Sequence, residues 1–214
     1  NLSLLGRPLT FSLGGEYERM AERRKGFVNQ NGDLGALRRD EDDVVASRGV
    51  YAQAEWRLAE RWIALAGLRS SRVDFRSRDY YIAAGNPDDS GNKRYSQTTP
   101  AAGIAYRFAL TSSVYVNYGR GFETPTFAEL AYRNGGTGLN FGLAASRSKH
   151  AELGVKTLFG SSLRLNAALF QANTENEIVV DSNNGGRSIF KNAGRTQRRG
   201  IELLAEGHLP AGFE

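Results

Sequence analysis

Arginine and tyrosine are the side chains of this 214-residue chain that are best suited to hold a ligand. Arginine binds a carboxylate through two parallel hydrogen bonds, and tyrosine offers a flat, partly apolar surface. Both types recur in the segments between predicted strands, where we expect two or three of them to contact a bound molecule and the rest to be solvated. The candidates are Arg38, Arg39, Arg78, Tyr80, Tyr81, Arg94, Tyr95, Tyr132, Arg133 and Arg187.

Side chains that could support catalysis or hold a metal are sparse. His150 and His208 are the only histidines, and they fall at opposite edges of the predicted sheet. Gly119-Arg-Gly121 lacks the third glycine of a dinucleotide fingerprint and does not open a helix. Cysteine is absent, and no serine has a placed base. The sequence therefore predicts neither an enzyme nor a metal site, and no cofactor.

The charge balance is basic, with 28 Lys+Arg against 23 Asp+Glu and a formal net charge of +5. Nucleic-acid binding needs Lys and Arg side chains clustered on one surface, together with aromatic side chains that stack on nucleobases. Here the basic residues alternate with acidic ones, so no nucleic-acid partner is expected. No apolar run approaches the roughly 18 residues of a membrane helix. A membrane β-barrel would give the same result, because its strands alternate apolar and polar side chains.

The elements that must position these side chains are β-strands. Alternation with a period of two residues predicts an all-β fold, in which one face of each strand is apolar or small and the other is polar. Val50, Ala52 and Ala54 illustrate the first face, and Gln53 and Glu55 the second. The predicted strands lie roughly at 9–19, 47–58, 61–76, 95–108, 112–122, 147–159, 162–173 and 188–207, with part of a ninth at 1–5.

The connections between these strands alternate strictly between short and long. This predicts an antiparallel up-and-down meander with its short turns at one edge, as in outer-membrane barrels; a soluble sandwich would have Greek-key crossings. Short turns are expected near Gly6–Pro8, Ala59–Glu60, Ala109–Thr111, Gly160–Ser161 and His208–Gly212. Long loops are expected near Met20–Ala46, Ser77–Arg94, Glu123–Ser146 and Thr174–Arg187, the last with a hairpin turn at Asn183–Gly186.

Aromatic residues gather beside the short turns, as at a membrane–water interface. They are Trp56, Trp62, Tyr106, Phe108 and Phe159. The alternative is that they form the core of a soluble sheet, and the turn pattern favours the membrane barrel. In a barrel, exposed Arg and Lys near the outer interface would contact lipid and lipopolysaccharide phosphates.

Two stretches carry specific sequence motifs in addition to the strand periodicity. Tyr115–Leu130 contains Gly-Arg-Gly-Phe followed by Pro-Thr and Glu-Leu, and it resembles the most recognisable barrel segment of TonB-dependent receptors. Asn192–Glu202 is similar to a second signature of that family, and Ala151–Lys156 and Ala66–Arg69 match in the right order. The resemblance spans roughly residues 45–210. The motif residues it marks as structural are Gly119, Gly121, Phe122, Pro125, Glu129, Leu130, Glu152, Gly154, Asn192, Gly194, Gly200 and Glu202.

Several of these residues have an expected role. Pro125 has no backbone N–H, so it can end a strand ladder without leaving an unpaired hydrogen-bond donor. Glu129 belongs to the segment that supports the loops in the family. Gly119 and Gly121 should permit a bulge or a close approach to a neighbouring strand. Because Tyr132 and Arg133 follow the motif directly, they are the best-placed ligand candidates.

A narrower resemblance points to the YncD-like (PqqU) branch of the family. It rests on Gly121–Thr126, Glu129–Arg133, Gly138–Gly142, Glu177–Asp181 and Gly185–Arg187. That branch is associated with uptake of pyrroloquinoline quinone rather than of a ferric siderophore. The resemblance therefore leaves both ligand classes open.

The family resemblance implies a 22-stranded transmembrane barrel, of which this chain would supply about eight strands as an open curved sheet. Residues 1–214 are then expected to be a partial barrel domain, with the plug domain, TonB box and final strands absent. The implied function is active uptake of a scarce small molecule across the bacterial outer membrane with energy from TonB, which would act through the plug. The alternatives are a structural or adhesive outer-membrane barrel without transport, and a soluble β-sandwich binding module.

Overall fold

The computed structural model describes residues 2–160, 162–184 and 187–207. These residues form eleven strands and one four-residue helix. The strands are β1 (Leu2–Leu4), β2 (Arg7–Gln30), β3 (Asp33–Arg57), β4 (Trp62–Asp79), β5 (Gly91–Ala109), β6 (Ser112–Glu123), β7 (Ser146–Phe159), β8 (Leu163–Glu175), β9 (Ile178–Asn184), β10 (Arg187–Asn192) and β11 (Arg195–Gly207), and α1 is Phe127–Leu130.

Nine strands form a single antiparallel sheet in the order β1 to β8 and then β11. Each strand pairs with its successor until β8, which pairs with β11 because the β9–β10 hairpin is inserted between them. Within the described residues β1 and β11 each pair with one neighbour, so the sheet is open. The predicted all-β antiparallel meander is confirmed.

One long loop of the prediction is wrong. The segment Met20–Ala46 continues as a paired hairpin of β2 and β3, closed at Asn31-Gly32 with both residues at positive φ. Its upper part is held by opposite charges directly across the two strands. These pairs are Arg23 with Asp42, Arg24 with Glu41 and Lys25 with Asp40. Such a charged ladder carries no apolar alternation, and for that reason apolar periodicity did not detect it.

The predicted strand at 188–207 is also wrong, because it divides into β10 and β11 at Ala193-Gly194. The Asn192 side chain fixes the break by donating to the carbonyls of Ala144 and Asn176 (2.9 Å each). The β9–β10 pairing confirms the hairpin, although Gly185 and Gly186 lie outside the described residues, as do Ser161 and the predicted turn at His208–Gly212. The loop after β4 shortens to residues 80–90.

The two faces of the sheet differ in polarity. Cross-strand register aligns one apolar row through the whole sheet, on what we call the outer face: Leu9, Trp56, Ala64, Ile104, Val116, Leu153, Leu169 and Ile201. Leu169 and Ile201 are 52% and 69% exposed. The opposite, inner face carries polar side chains at the same height, such as Asn117 and Glu152. A continuous exposed apolar band of this kind marks contact with lipid or a partner.

The short-turn end of the outer face is aromatic. The rings of Trp62 and Tyr106 lie on neighbouring strands with their centroids 4.7 Å apart. Phe159 ends β7 near the same edge and is 57% exposed. No helix in the described part of the chain is long and apolar enough to cross a membrane.

A compact apolar core lies at the other end, where the connections are long. The β6–β7 connection, residues 124–145, folds over the inner face of β4 and β5. We call this cluster the loop core: Phe75, Tyr95, Phe127, Leu130, Leu139, Leu143 and Ala145. The upper wall and the loop are thereby held together as one packed unit.

Candidate ligand-binding site at the loop ends

The loop that builds the site begins with a capped helix. Thr126 is the N-cap of α1: its hydroxyl accepts from the Glu129 amide, and the Glu129 carboxylate accepts from the Thr126 amide at 2.7 Å. This reciprocal capping box fixes the chain direction. Pro125 just before it is buried, and Leu130 has no exposed surface. These motif residues orient the loop, and none faces a cavity of the site.

Tyr95 supports the loop from below. Its hydroxyl donates to the Leu143 carbonyl at 2.8 Å, and its ring meets Phe75 edge-on at 5.9 Å between centroids. Burial raises the pKa of Tyr95 to about 12. Since only 5% of this residue is exposed, this ligand candidate packs in the loop core, beneath the loops.

Arg39 and Arg187 converge on one aromatic ring in the site. Their guanidinium carbons lie 5.4 Å and 5.6 Å from the centroid of the Tyr132 ring. Arg38 and Tyr81 line the same space. We call this space the arginine cavity; its volume is about 140 Å³, and it lies between the first part of β3, the loop after β4, the loop after α1 and the start of β10. Half of the sequence candidates thus come together.

Arg133 has a different role from its neighbour Tyr132. Its Nη2 pairs with Asp89 at 2.9 Å, and its Nε donates to the Thr137 carbonyl. The Asp89 side chain itself lines the arginine cavity. Because the guanidinium is already engaged, Arg133 braces two loops against each other instead of presenting a free charge.

The remaining three candidates lie on the outer face, away from the arginine cavity. The Tyr80 ring sits between the guanidinium groups of Arg23 and Arg78, each 5.1 Å from its centroid. Its hydroxyl donates to Asp42 at 2.9 Å. Arg94 pairs with Asp74 at 2.6 Å. The ten candidates therefore divide into a convergent group, two bracing residues and an outward group.

A buried acidic pair beside the arginine cavity was missed at the sequence level. Glu41 and Asp43 are 5% and 0% exposed, and Arg24 Nη1 lies 3.2 Å from Glu41 and 3.5 Å from Asp43. Burial, with a further contribution from Asp43, raises the pKa of Glu41 above its ordinary value, against the opposing effect of Arg39 and Arg24. Glu41 also lies 3.7 Å from Arg39, so it positions that guanidinium under the cavity.

Across residues 2–160, 162–184 and 187–207, no group of three or more His, Asp or Glu side chains is arranged to hold a metal ion.

The sequence signal for the acidic pair was the run Asp40-Glu-Asp-Asp43, which lies opposite Arg23-Arg-Lys25. Until the register is known, these are two unrelated charged segments.

The motif glycines act by close approach. A Cβ on Gly154 would collide with the Tyr115 ring, whose hydroxyl donates to Glu152 at 2.6 Å, and one on Gly121 would collide with Ser148. Gly200 lies under the Phe170 ring. The ladder between β6 and β7 runs through Gly119 and Gly121 without a register shift, so the expected bulge is absent there. The other expectation, close approach to a neighbouring strand, holds for Gly121.

An antiparallel wall with an apolar outer face, short turns at one end and folded loops at the other defines the class: the wall of an outer-membrane-type β-barrel. The chain belongs to the TonB-dependent receptor family, because the family model "TonB dependent receptor-like, beta-barrel" matches residues 1–213.

Solved structures of similar fold support this assignment. The ferric-catecholate import receptor Fiu from E. coli K12 superposes with a TM-score of 0.69 at 18% identity, over 95% of this chain and 33% of that one. The ferric citrate transporter FecA gives 0.75 at 16%, over 97% and 30%. The copper transporter OprC gives 0.70 at 17%, over 94% and 33%. The chain thus spans about a third of the length of these proteins.

Proposed function

We propose that the protein is an active-uptake receptor of the bacterial outer membrane, energised by TonB, whose loops capture a small anionic or aromatic ligand. The observation that carries the proposal is the convergence of Arg39 and Arg187 on the Tyr132 ring. A ring flanked by guanidinium groups leaves several N–H donors free for an anion. The solved neighbours named above import ferric catecholates, ferric citrate or copper.

The size of the arginine cavity limits what it holds. About 140 Å³ is well below the roughly 300–1,000 Å³ of a pocket that buries a whole drug-sized ligand. It suits one carboxylate or one ring edge, with the rest of the ligand above the loops. Ferric siderophores and pyrroloquinoline quinone are both aromatic or anionic enough to meet this requirement.

Residues 1–214 act in this proposal as part of a barrel domain, and TonB acts through a plug region of the parent receptor. The outer face lies against outer-membrane lipid and lipopolysaccharide. The alternative is a structural or adhesive barrel without transport. Deleting the parent gene separates the two: the receptor predicts loss of uptake of a ferric siderophore or of pyrroloquinoline quinone, and unchanged uptake of both would reject it.

A paired substitution tests the site in the full-length receptor. Arg187→Gln removes a guanidinium from the Tyr132 ring and should weaken ligand binding about tenfold, the scale of one charge-assisted contact. The matched control is Arg78→Gln, which removes a guanidinium from the Tyr80 ring on the outer face. Equal effects of the two variants on binding, measured by calorimetry, would exclude the arginine cavity.

The same measurement distinguishes the two ligand classes. A panel of ferric siderophores and pyrroloquinoline quinone is titrated into wild type and into Arg187→Gln. The substitution should raise the dissociation constant of only one of these ligand classes. Binding of the quinone with this dependence would support the narrower branch resemblance. Dependence for a siderophore alone would assign the receptor to iron uptake.

A further inference from the structure

The arginine cavity is lined by acidic side chains as well as by basic ones. Three guanidinium groups and three carboxylates border it: Arg38, Arg39, Arg187, Glu41, Asp79 and Asp89. The arginines come from the first part of β3 and the start of β10. Two of the carboxylates, Asp79 and Asp89, come from the end of β4 and the loop after it, and we call them the acidic side of the cavity. The cavity thus presents both signs of charge to whatever enters it.

Some of these charges are compensated within the protein. The Glu41 carboxylate lies 3.7 Å from Arg39 and 3.2 Å from Arg24. The Asp89 carboxylate lies 2.9 Å from Arg133. A ligand therefore does not need to neutralise either of these two carboxylates.

Asp79 keeps hydrogen-bonding capacity for a ligand. Its two oxygens accept the backbone amides of Tyr81 and Asp89, at 2.9 Å and 3.2 Å, one on each oxygen. A carboxylate can accept about four hydrogen bonds, so about two remain. In the part of the chain that the structure describes, Asp79 forms no ion pair, and neither do Arg38 and Arg187. One carboxylate and two guanidinium groups are thus open to an incoming charge.

The strand register favours a cation beside Asp79. Glu41 and Asp79 lie directly opposite each other across β3 and β4. Like charges in this position destabilise a sheet. Arg24 and Arg39 approach the Glu41 carboxylate, but neither forms an ion pair with Asp79. A cationic group of a ligand placed against Asp79 would offset the repulsion between the two carboxylates.

Loop packing holds the acidic side in place. Only 9% of the Asp89 side chain is exposed, although it borders the cavity. Gly138 has a φ of +74°, and a Cβ at this position would lie 2.5 Å from the Cβ of Asp89. The loop after α1 can therefore pack directly on Asp89, whose amide in turn holds Asp79. A charge fixed in this way is preorganised for binding.

The small size of the cavity makes its two signs of charge act together. About 140 Å³ admits only an end group of a ligand, so a carboxylate bound to the arginines lies close to the acidic side. A purely anionic group would be repelled by Asp79, and a purely cationic group would leave the guanidinium groups unpaired. Unpaired or opposed charges in a partly buried site lower affinity and so select against such ligands.

We propose that the arginine cavity recognises an α-amino carboxylate, the end group of an amino acid, on the transported ligand. The carboxylate binds Arg38 and Arg187 through charge-assisted hydrogen bonds, and the ammonium group donates to Asp79. The inference rests on the proposed function and deepens it, because it names the end group by which the captured ligand is held.

The test uses the full-length receptor in detergent and three small probes of similar size. L-alanine carries both charges, propionate carries only the carboxylate, and ethylammonium carries only the cation. Dissociation constants are measured at pH 7 by saturation-transfer NMR. Alanine should bind at least about tenfold more tightly than either other probe, the scale of one charge-assisted hydrogen bond.

The decisive variant is Asp79→Asn. It should weaken alanine binding about tenfold, whereas propionate should bind equally well or more tightly, because a nearby negative charge is removed. A merely structural role of Asp79 would weaken both probes alike. The matched control is Asp88→Asn: this exposed carboxylate of the same loop also accepts a backbone amide, that of Ser90 at 2.9 Å, but it does not line the cavity. The control should change both affinities less than about twofold.

Two results overturn the inference. One is alanine binding no more tightly than propionate, which includes no detectable binding of alanine at millimolar concentration. The other is equal weakening of alanine and propionate by Asp79→Asn.

Arg187→Gln separates these failures from failure of the proposed function. If propionate binding depends on Arg187 while alanine has no advantage, only the end-group inference is rejected and an anion site remains. If no probe responds to Arg187→Gln, the arginine cavity is rejected as the ligand site, and the proposed function loses the observation that carries it.

Discussion

The lower wall and the loop end of this molecule are stabilised in different ways. Below, β6, β7 and β8 form regular ladders whose apolar side chains, such as Leu153 and Leu169, are about half exposed. Above, the apolar side chains turn inward, and Leu130 is completely buried by its neighbours. One region leaves its apolar side chains exposed on the outer face, and the other buries its own.

The difference explains where a binding site can form. A ladder facing lipid must satisfy every backbone group within the sheet, so it has little freedom to vary. Loops exposed to water can present polar side chains, provided that a packed cluster such as the loop core holds the loops in place. The arginine cavity accordingly lies above the loop core, where Tyr132 directly follows the buried Leu130–Ala131 segment.

The largest expected effect comes from removing the centre of the loop core. Leu130→Ala should destabilise residues 124–145 by about 2–5 kcal/mol, the usual cost of a cavity at a buried leucine. Hydrogen exchange of the loop amides would measure it. Leu169→Ala is the matched control on the outer face, where a lipid tail fills the space, and it should leave these amides unchanged. Equal losses at both positions would remove the distinction between the regions.

A charge placed on the outer face should have the next largest effect. Leu153→Arg should cost roughly 2–4 kcal/mol, as for a basic residue at the bilayer midplane. Asn117→Arg is the control, because it is on the inner face of the adjacent strand opposite Glu152. Folding into lipid vesicles, followed by urea titration, compares the two. If Asn117→Arg were the more damaging change, the assignment of the two faces would be reversed.

The regular half of the molecule was the predictable half. Alternation over Val114–Tyr118 and Leu153–Thr157 is sufficient to place β6 and β7, because ladder and lipid both require it. The hairpin above Met20 was missed because its pairs are ionic, although Asn31-Gly32 was a visible turn signal. Sequence patterns of polar and apolar residues do not report charge pairing between distant segments.

The site was predicted in composition but not in arrangement. Tyr132, Arg39 and Arg187 come from the loop after α1, from β3 and from the start of β10, and only the folded chain determines which arginines meet the ring. Glu41 was missed because burial of a carboxylate depends on packing that no local pattern reveals.

A smaller effect should separate two glycines of the wall. Gly154→Ala should destabilise the barrel by about 1–3 kcal/mol, since the new methyl group would displace the Tyr115 ring. Gly119→Ala is the control, because its nearest contact would be at an ordinary 3.7 Å, and it should be close to neutral. Thermal unfolding in detergent measures both. If Gly154→Ala were neutral, the Tyr115 ring could move aside without cost, and the lower wall would be less rigid than its regular ladder indicates.

The smallest expected effect is a pH dependence confined to the loop end. Folding raises the pKa of Glu41 above its ordinary 4.5, mainly because the side chain is buried. Burial of the charged carboxylate therefore lowers the stability of the folded state at neutral pH. The penalty is fully present above the raised pKa and disappears as the pH falls through it towards 4.5. The hairpin above Met20 should therefore become more protected relative to the lower wall on mild acidification.

Hydrogen exchange at pH 7 and pH 5, corrected for intrinsic rates, tests this dependence. Glu41→Gln keeps the shape of the side chain but cannot ionise, so it should abolish the change in the hairpin. Glu22→Gln provides the control, since this exposed carboxylate lies on β2 opposite Asp43. If acidification loosened the hairpin in wild type, the ion pairs of Glu41 with Arg24 and Arg39 would outweigh its burial, and the loop end would be held by charge more than by packing.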